Sequence, residues 1–338
     1  MKTFKCKNCG GKLVYSPEKQ TLICENCESQ DEIKKIHAEN KKEAYSPRKE
    51  PLKRSANLYV CKSCSSHLSS PGGEEIKRCP NCGNVELERV TNDEYIPDAI
   101  LPFVVGKEKA RENFRIWLKK RKFAPNNLVK LAKEGKITGF YTPVWNFDGH
   151  SVTEYSGVGV NEYRDGDKVK RTYHNFSGII ENDYQDEFVS ANNQVGSETI
   201  NKLSPWNLEN LNVYDDSFVC GFIGSNCEKM LEAGKNEFSR FVQSNDAFEA
   251  KSRQSRFDYI ESFYSSTKIY DVKYNYLYFP LWVNHYTYKD KKYTSFINGQ
   301  TGEVAGKSPK SFWKILFTVL GITAVVAAIV ILIALKGN

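Results

Sequence analysis

The residues of this chain whose types and spacing could do chemistry are paired cysteines, each pair separated by two residues. Two groups of four share one spacing, with 14 residues between their pairs: Cys6, Cys9, Cys24 and Cys27, then Cys61, Cys64, Cys79 and Cys82. Each pair offers two thiolates, and two pairs complete the tetrahedron of ligands that zinc prefers. We therefore predict two zinc ribbons, each with one structural Zn²⁺ ion and no ligand position open for a catalytic water.

Each predicted ribbon is too small to fold around an apolar core alone, so bound metal is expected to supply folding free energy. Gly10 and Gly83 directly follow a cysteine pair, where glycine lets the backbone turn its amides toward the sulfurs. Redox exchange is the alternative use of such pairs, but four pairs at matched spacing favour metal. His67 lies within the second ribbon, where four cysteines already supply the ligands, so we expect an ordinary surface histidine.

The composition describes a chain of 338 residues, 40% apolar and 13% aromatic, which is enough for a core and for two or three domains. The net charge of +7 is compatible with anionic lipid or nucleic acid but requires neither. Paired cysteines indicate metal in a reducing compartment. The first residues contain no apolar stretch of a signal peptide. Both features predict that the bulk of the chain lies in the cytoplasm.

The C-terminal region carries an uncharged apolar run over residues 315–335, bracketed by Lys314 and Lys336. As a helix it is about 31 Å long, which is sufficient to cross the hydrocarbon core of a bilayer. Lys307 and Lys310 add positive charge before the run. The positive-inside rule therefore predicts a single-pass, tail-anchored protein of the cell membrane, with a cytoplasmic N-terminal domain and a short outer tail.

The elements that must position these groups divide the chain into six parts. We predict an α+β protein with zinc ribbon 1 at 1–29, a charged linker at 30–57, zinc ribbon 2 at 58–90, a β-rich α+β domain with a few helices at 91–305, a basic juxtamembrane segment at 306–314 and a transmembrane helix at 315–335.

Three helices are expected in the β-rich domain. One spans 107–122 with Ala110 and Phe114 on its apolar face. It ends in a basic run, 119–122, that could meet lipid headgroups or nucleic acid, although complementing the helix dipole is the simpler role. A second helix begins at Pro125 and stops at Gly135. A third begins with a capping box at 225–228 (SNCE).

The remaining pattern of this domain favours strands. Tyrosines alternate with polar residues over 270–278, which is more typical of a sheet face than of a surface that stacks bases. Residues 293–297 are expected to pair back on that strand. The segments 141–145 (YTPVW) and 278–282 (YFPLW) resemble each other, which indicates two related β units. Cys220, in an apolar strand-like stretch, and Cys227 are expected to be small buried hydrophobes.

The sequence shows no constellation of nucleophile and base. Its five histidines stand apart from one another, and residues 302–308 are one residue short of a phosphate-binding loop. We therefore expect no enzyme and no catalytic residue or cofactor beyond zinc.

The ordered motifs resemble a bacterial family of tail-anchored membrane proteins of the YdjG type, which carry TFIIB-type zinc ribbons and are loosely labelled primosomal helicase-like. The motifs that carry this resemblance are the N-terminal ribbon, 100–103 (ILPF), 123–125 (FAP), 139–147 (GFYTPVWNF), 298–306 (NGQTGEVAG) and the apolar tail. Helicase activity does not transfer, because no nucleotide-binding loop is present. The resemblance implies a membrane adaptor that works with proteins of the envelope stress response, and the eight paired cysteines as zinc ligands.

Two functions follow as hypotheses. The first is a tail-anchored scaffold that docks cytoplasmic or membrane-associated protein partners at the bilayer. The alternative is a membrane-tethered nucleic-acid binder, based on the ribbons and the positive charge. Acidic residues interleaved with the basic ones around the ribbons disfavour it.

Overall fold

The computed structural model of the protein describes residues 4–46, 51–70, 75–125, 128, 136–288 and 291–336. It confirms a mixed α+β fold with a large β-sheet, two four-cysteine groups near the N-terminus and one apolar C-terminal helix. The helix that was predicted between Pro125 and Gly135 falls largely outside the described residues.

The described elements comprise strands, α-helices and two short 3-10 turns. The strands are β1 Leu13–Ser16, β2 Thr21–Cys24, β3 Gln30–Asp31, β4 Glu43–Ala44, β5 Lys53–Cys61, β6 His67–Ser69, β7 Leu87–Tyr95, β8 Ala99–Ile100, β9 Lys136–Asp165, β10 Lys168–Ser190, β11 Asn212–Val213, β12 Ile223–Ser225, β13 Tyr259–Tyr288, β14 Lys291–Asn298 and β15 Val304–Gly306. The helices are α1 Lys107–Lys119, α2 Ser197–Lys202, α3 Leu231–Ser252 and α4 Phe312–Lys336, and the 3-10 turns are Leu208–Asn210 and Asp216–Val219.

Three long antiparallel strands form the centre of the fold. β9 pairs with β10 along one edge and with β13 along the other. Helix α3 packs on these strands through Phe238, which stacks on Phe147 with ring centroids 5.2 Å apart. On β13, Tyr274, Tyr276 and Tyr278 of the predicted stripe are buried in the core, but Tyr270 is exposed and the intervening Asn275 is buried too. Burial removes these rings from any surface that could stack bases. β14 pairs back on β13 as predicted.

The sheet contains two related units. In the first, the short strand β8 precedes α1, β9 and β10, and in the second β12 precedes α3, β13 and β14. Each short strand pairs in parallel with the long strand of the other unit, since Ile100 lies opposite Tyr278 and Gly224 lies opposite Tyr141. The units are therefore joined by an exchange of strands.

The repeated YTPVW and YFPLW segments lie at equivalent places in this arrangement. Pro143 and Pro280 each lie where the outer neighbour of a long strand changes, from β10 to β12 and from β8 to β14. Proline lacks the amide hydrogen of a continuous ladder, so a break in pairing is where a sheet tolerates it. Each proline carbonyl accepts a bond from the returning chain, from Ala191 N at 3.0 Å and Gly299 N at 2.8 Å.

The predicted capping box at 225–228 is wrong. Ser225 belongs to β12, and α3 begins at Leu231 after Met230, whose side chain makes no cap bond. The Glu228 carboxylate instead accepts hydrogen bonds from the amides of His67 and Asn193, at 3.1 and 3.0 Å. Distant backbone donors therefore replace the local capping interaction.

The two cysteines outside the ribbons are buried, as expected. Cys220 does not lie in a strand, however. It follows the 3-10 turn Asp216–Val219 and precedes β12, and the turn begins because the Asp215 side chain accepts from Ser217 N.

Part of the segment that was predicted as a charged linker lies against the sheet. Ala38 N donates to Leu211 O, and Tyr45 N donates to Val272 O. Between them, the Lys42 side chain is only 4% exposed and forms ion pairs with Asp148 and Asp186. Residues 36–45 are therefore a strap bound to the domain, and the charge of Lys42 serves internal contacts instead of solvation.

Candidate metal centres and the C-terminal helix

The first four-cysteine group is assembled by the β1–β2 hairpin. Cys24 ends β2, and the bridge between Lys5 and Lys12 brings Cys6 and Cys9 to the same side. Cys6 Sγ lies 3.6 Å from Cys27 Sγ, and Cys9 Sγ lies 3.5 Å from Cys24 Sγ. Four sulfurs bound at 2.3 Å in a tetrahedron are about 3.8 Å apart. The four atoms all lie within 4.8 Å of one another, so the geometry fits one metal ion.

The second group repeats this arrangement on β5 and β6. Cys61 Sγ lies 3.6 Å from Cys82 Sγ, and Cys64 Sγ lies 3.6 Å from Cys79 Sγ. These four sulfurs also lie within 4.8 Å of one another. The structure thus brings together the eight cysteines that the sequence singled out, in the two groups their spacing predicts. His67 lies in β6, outside both groups.

Each of the four cysteine pairs is followed directly by a residue with a left-handed backbone conformation. Gly10 and Gly83 have φ of 71° and 76°, as their glycine character predicts. Glu28 and Ser65 adopt φ of 58° at the equivalent places, which the sequence analysis did not anticipate. In each case the amide of this residue donates to the carbonyl of the first cysteine of the pair, at 2.8 to 3.0 Å.

Two serines support the sulfurs and were missed by the sequence analysis. Ser29 Oγ lies 3.0 Å from Cys6 Sγ and 3.1 Å from Cys27 Sγ, and Ser66 Oγ lies 3.1 Å from Cys64 Sγ. The signal was available, because each serine stands two residues after a cysteine pair. The hydrogen bond from Ser29 lowers the pKa of the Cys6 thiol to about 6, with help from the backbone amides of Cys9 and Asn8.

The two groups differ in burial. Cys9 and Cys27 of the first group are exposed, whereas Cys64 and Cys82 of the second are half-buried. Burial also raises the pKa of the Cys79 thiol. A buried sulfur stays ionised only beside a positive charge, so the second group suits a tightly enclosed cation.

Both ribbons are fastened to the β-rich domain. In the first, Tyr15 N donates to Cys220 O at 2.9 Å, and Gln20 Nε2 donates to Phe103 O at 2.6 Å. In the second, β6 pairs with β12, and Gln194 Nε2 donates to the carbonyl of Cys64 at 2.9 Å. Both metal groups are therefore attached to the same β-rich domain, the first through its hairpin and the second through a strand pairing and the loop that carries Cys64.

Arg54 provides a charged link between the second ribbon and the domain. Its guanidinium bonds Glu94 at 2.6 Å and makes a two-pronged contact with Asp216 at 2.8 and 2.9 Å. Glu94 is buried, so the Arg54 guanidinium compensates a carboxylate charge that would be costly to bury unpaired.

The C-terminal helix α4 is long and apolar enough to span a membrane over Phe312–Ile329, and none of that stretch is buried against the protein. Its start is tied to the loop after α1. Ser311 N donates to Phe123 O at 2.7 Å, and Lys314 Nζ donates to Ala124 O at 2.8 Å. The base of the helix is thus a fixed part of the domain.

Comparison with curated proteins finds a relative described as the uncharacterized protein YdjG of Bacillus subtilis (strain 168). It is 27% identical over 331 residues, which cover 93% of this chain and 92% of that protein. The similarity therefore extends over most of the length of both chains. No protein-family model matches the chain, and no solved structure matches it.

Proposed function

We propose that this protein is a membrane-anchored, zinc-stabilised adaptor that docks protein partners at the cytoplasmic face of the bilayer. The observation that carries the proposal is the attachment of both cysteine groups and of the base of α4 to one β-rich domain. Such a body can hold a partner at a fixed distance from the membrane. The prior resemblance to tail-anchored TFIIB-type zinc-ribbon proteins, with their link to envelope stress, is consistent with it.

Zinc is the metal we assign to both groups. Four thiolates in a tetrahedron suit zinc, and sites closed by four protein ligands are structural. When bound, the ion would fix the two loops of each ribbon together. Metal analysis of full-length protein should give two zinc ions per chain, and Cys24→Ser or Cys79→Ser should each reduce the content to one. Retention of both ions in either variant would contradict this ligand assignment.

Helix α4 is the part of the protein that anchors it in the bilayer under this proposal. Lys307, Lys310 and Lys314 precede the apolar stretch, which favours a cytoplasmic domain and an outer C-terminal tail. Flotation of native membranes after carbonate washing tests the anchor, and protease treatment of intact cells tests the side. A protein released by carbonate would overturn the anchor.

The proposal requires that other proteins bind this one at the membrane. Full-length tagged protein should be purified from native membranes in mild detergent, treated with nuclease, and its co-purifying proteins identified. A stoichiometric partner that survives nuclease supports the adaptor. Loss of every partner on nuclease treatment would favour nucleic acid as the bridge.

A chain ending at residue 311 provides the matched control. It removes α4 but keeps both ribbons and the sheet. The partner should then leave the membrane fraction and remain bound to the truncated protein. A partner that stays at the membrane without α4 would show that the adaptor is not its anchor.

A further inference from the structure

The start of α4 brings two basic segments together. The bond from Ser311 N to Phe123 O places the loop after α1 beside the residues that lead into the helix. That loop continues the basic run 119–122, and Lys310 adjoins the contact from the other side. We name the five cations Lys119, Lys120, Arg121, Lys122 and Lys310 the basic collar.

The collar is exposed and lacks compensating charge. All five of its side chains are exposed to solvent. Within the part of the chain that the structure describes, none of them forms an ion pair, and Arg121 lies over the ring of Trp117 at 4.3 Å. The sequence contains no acidic residue over 113–125 or over 304–336. The positive potential at this site is therefore not cancelled by neighbouring carboxylates in either segment.

The helix dipole accounts for only two members of the collar, Lys119 and the cap residue Lys120. Helix α1 ends at Lys119, and the dipole effect falls off within the last turn. Arg121 and Lys122 lie beyond the cap residue Lys120. Aromatic side chains lie in the same region, with Phe123 at 37% exposed and Trp313 at 64% exposed. Cations beside exposed aromatics are the side chains found at the headgroup level of membranes.

We propose that the basic collar binds anionic phospholipid headgroups, so that the domain contacts the bilayer surface beside its own span. This inference rests on the proposed anchoring of α4. Each cation near an anionic leaflet strengthens surface binding about fivefold. With the helix and the collar as two contacts, the domain is held in one orientation, and the ribbons face a defined direction.

The test uses full-length protein reconstituted in vesicles of phosphatidylcholine alone or with about a third phosphatidylglycerol. A membrane-impermeant amine reagent labels exposed lysines, and mass spectrometry quantifies each site. Labelling of Lys119, Lys120, Lys122 and Lys310 should fall about fivefold in the anionic vesicles. High salt should restore it, because surface charges are screened. Lys168, exposed at the far end of the sheet, should label equally in both lipids.

Two variants sharpen the result. Replacing residues 119–122 together by glutamine should remove the lipid dependence of Lys310 labelling while zinc content and flotation stay unchanged. Lys109→Gln is the matched control on the same helix, since it removes a cation already paired with Glu112 at 2.9 Å. That control should label as the natural protein does.

The outcomes separate the two proposals. Equal labelling in both lipids by a protein that floats with the vesicles would overturn the collar alone. Failure to float would overturn the anchor. Protection of the same lysines by added duplex DNA on phosphatidylcholine vesicles, without protection by phosphatidylglycerol, would assign the collar to nucleic acid and overturn the lipid proposal.

Discussion

Tyr141 and Tyr278 stack on each other at the centre of the sheet, with ring centroids 6.0 Å apart and planes 14° from parallel. Each is the first residue of a repeated motif and lies opposite the proline of the other, Pro280 or Pro143. Both rings are buried. The pair therefore marks the point where the two β units meet. The Tyr141 hydroxyl accepts a hydrogen bond from Phe103 N, whereas the Tyr278 hydroxyl donates one.

Tyr278→Phe should destabilise this junction. The Tyr278 hydroxyl donates to Ser225 O at 3.0 Å, in the exchanged strand β12. Its loss leaves a buried carbonyl without that donor, which costs about 1–2 kcal/mol of unfolding free energy. Chemical denaturation measures the change, with Tyr264→Phe on the exposed sheet surface as the control. Equal stability of the two variants would contradict the role given to this bond.

Asp246→Asn should be among the most damaging polar substitutions in α3. The buried carboxylate accepts from four side chains, Ser151, Thr153, Asn182 and Tyr184, at 2.6 to 2.8 Å. An amide presents a donor where one oxygen now accepts, so at least one buried donor loses its partner. We expect a loss of about 3 kcal/mol. The exposed Asp183→Asn is the control, and denaturation curves compare them.

Acid stability should depend on the same carboxylate. Burial acts to raise the pKa of Asp246, but the hydrogen bonds outweigh it, led by that from Thr153, so the pKa lies below its usual range. The unfolded chain therefore takes up this proton first as pH falls. The carboxylate contributes stability above about pH 4 and loses it progressively below. The fall in unfolding free energy between about pH 4 and 2 should be shallower in Asp246→Asn. Parallel profiles would contradict this.

Metal release should occur in two phases. The first group has two exposed cysteines and the second has none, so a chelator reaches the first group more readily. A chromogenic chelator added to the full-length protein should take one zinc ion quickly and the other slowly. Cys6→Ser should abolish the fast phase, and Cys79→Ser the slow one. A single phase in the natural protein would contradict the difference in burial.

Lys42→Met should release the strap. Its ammonium is paired with Asp148 and Asp186, which are only partly exposed. Methionine keeps the apolar stem but not the charge, so we expect a loss of about 1–3 kcal/mol that is local to residues 36–45. Hydrogen exchange should accelerate at Ala38 and Tyr45, whose amides bond the domain. Lys41→Met provides the control, and unchanged exchange at both amides would refute the strap.

The features that sequence reasoning predicted are those with local physical causes. Cysteine spacing alone dictates which thiols can meet, and the apolar stripe of α1 specifies its buried residues. The strap was missed because the partners of Lys42 lie more than 100 positions away. The capping box failed for the same reason, since Glu228 finds donors on β6 and after β10. The exchange of β8 and β12 between the units was not predicted, because no periodicity in the sequence indicates which long strand each of them joins.

The exchanged strands also set the order in which the protein can be made. β8 pairs with β11 on one side, but its other neighbour, β13, exists only after Tyr278 has been synthesised, so the first unit emerges from the ribosome with an open sheet edge. The two ribbons precede it and, once loaded with metal, have their own source of folding free energy. Completion of the sheet requires pairings between distant parts of the chain, which form slowly. The sheet can therefore be completed only late in synthesis, once β13 and β14 have emerged and little besides α4 remains to be made.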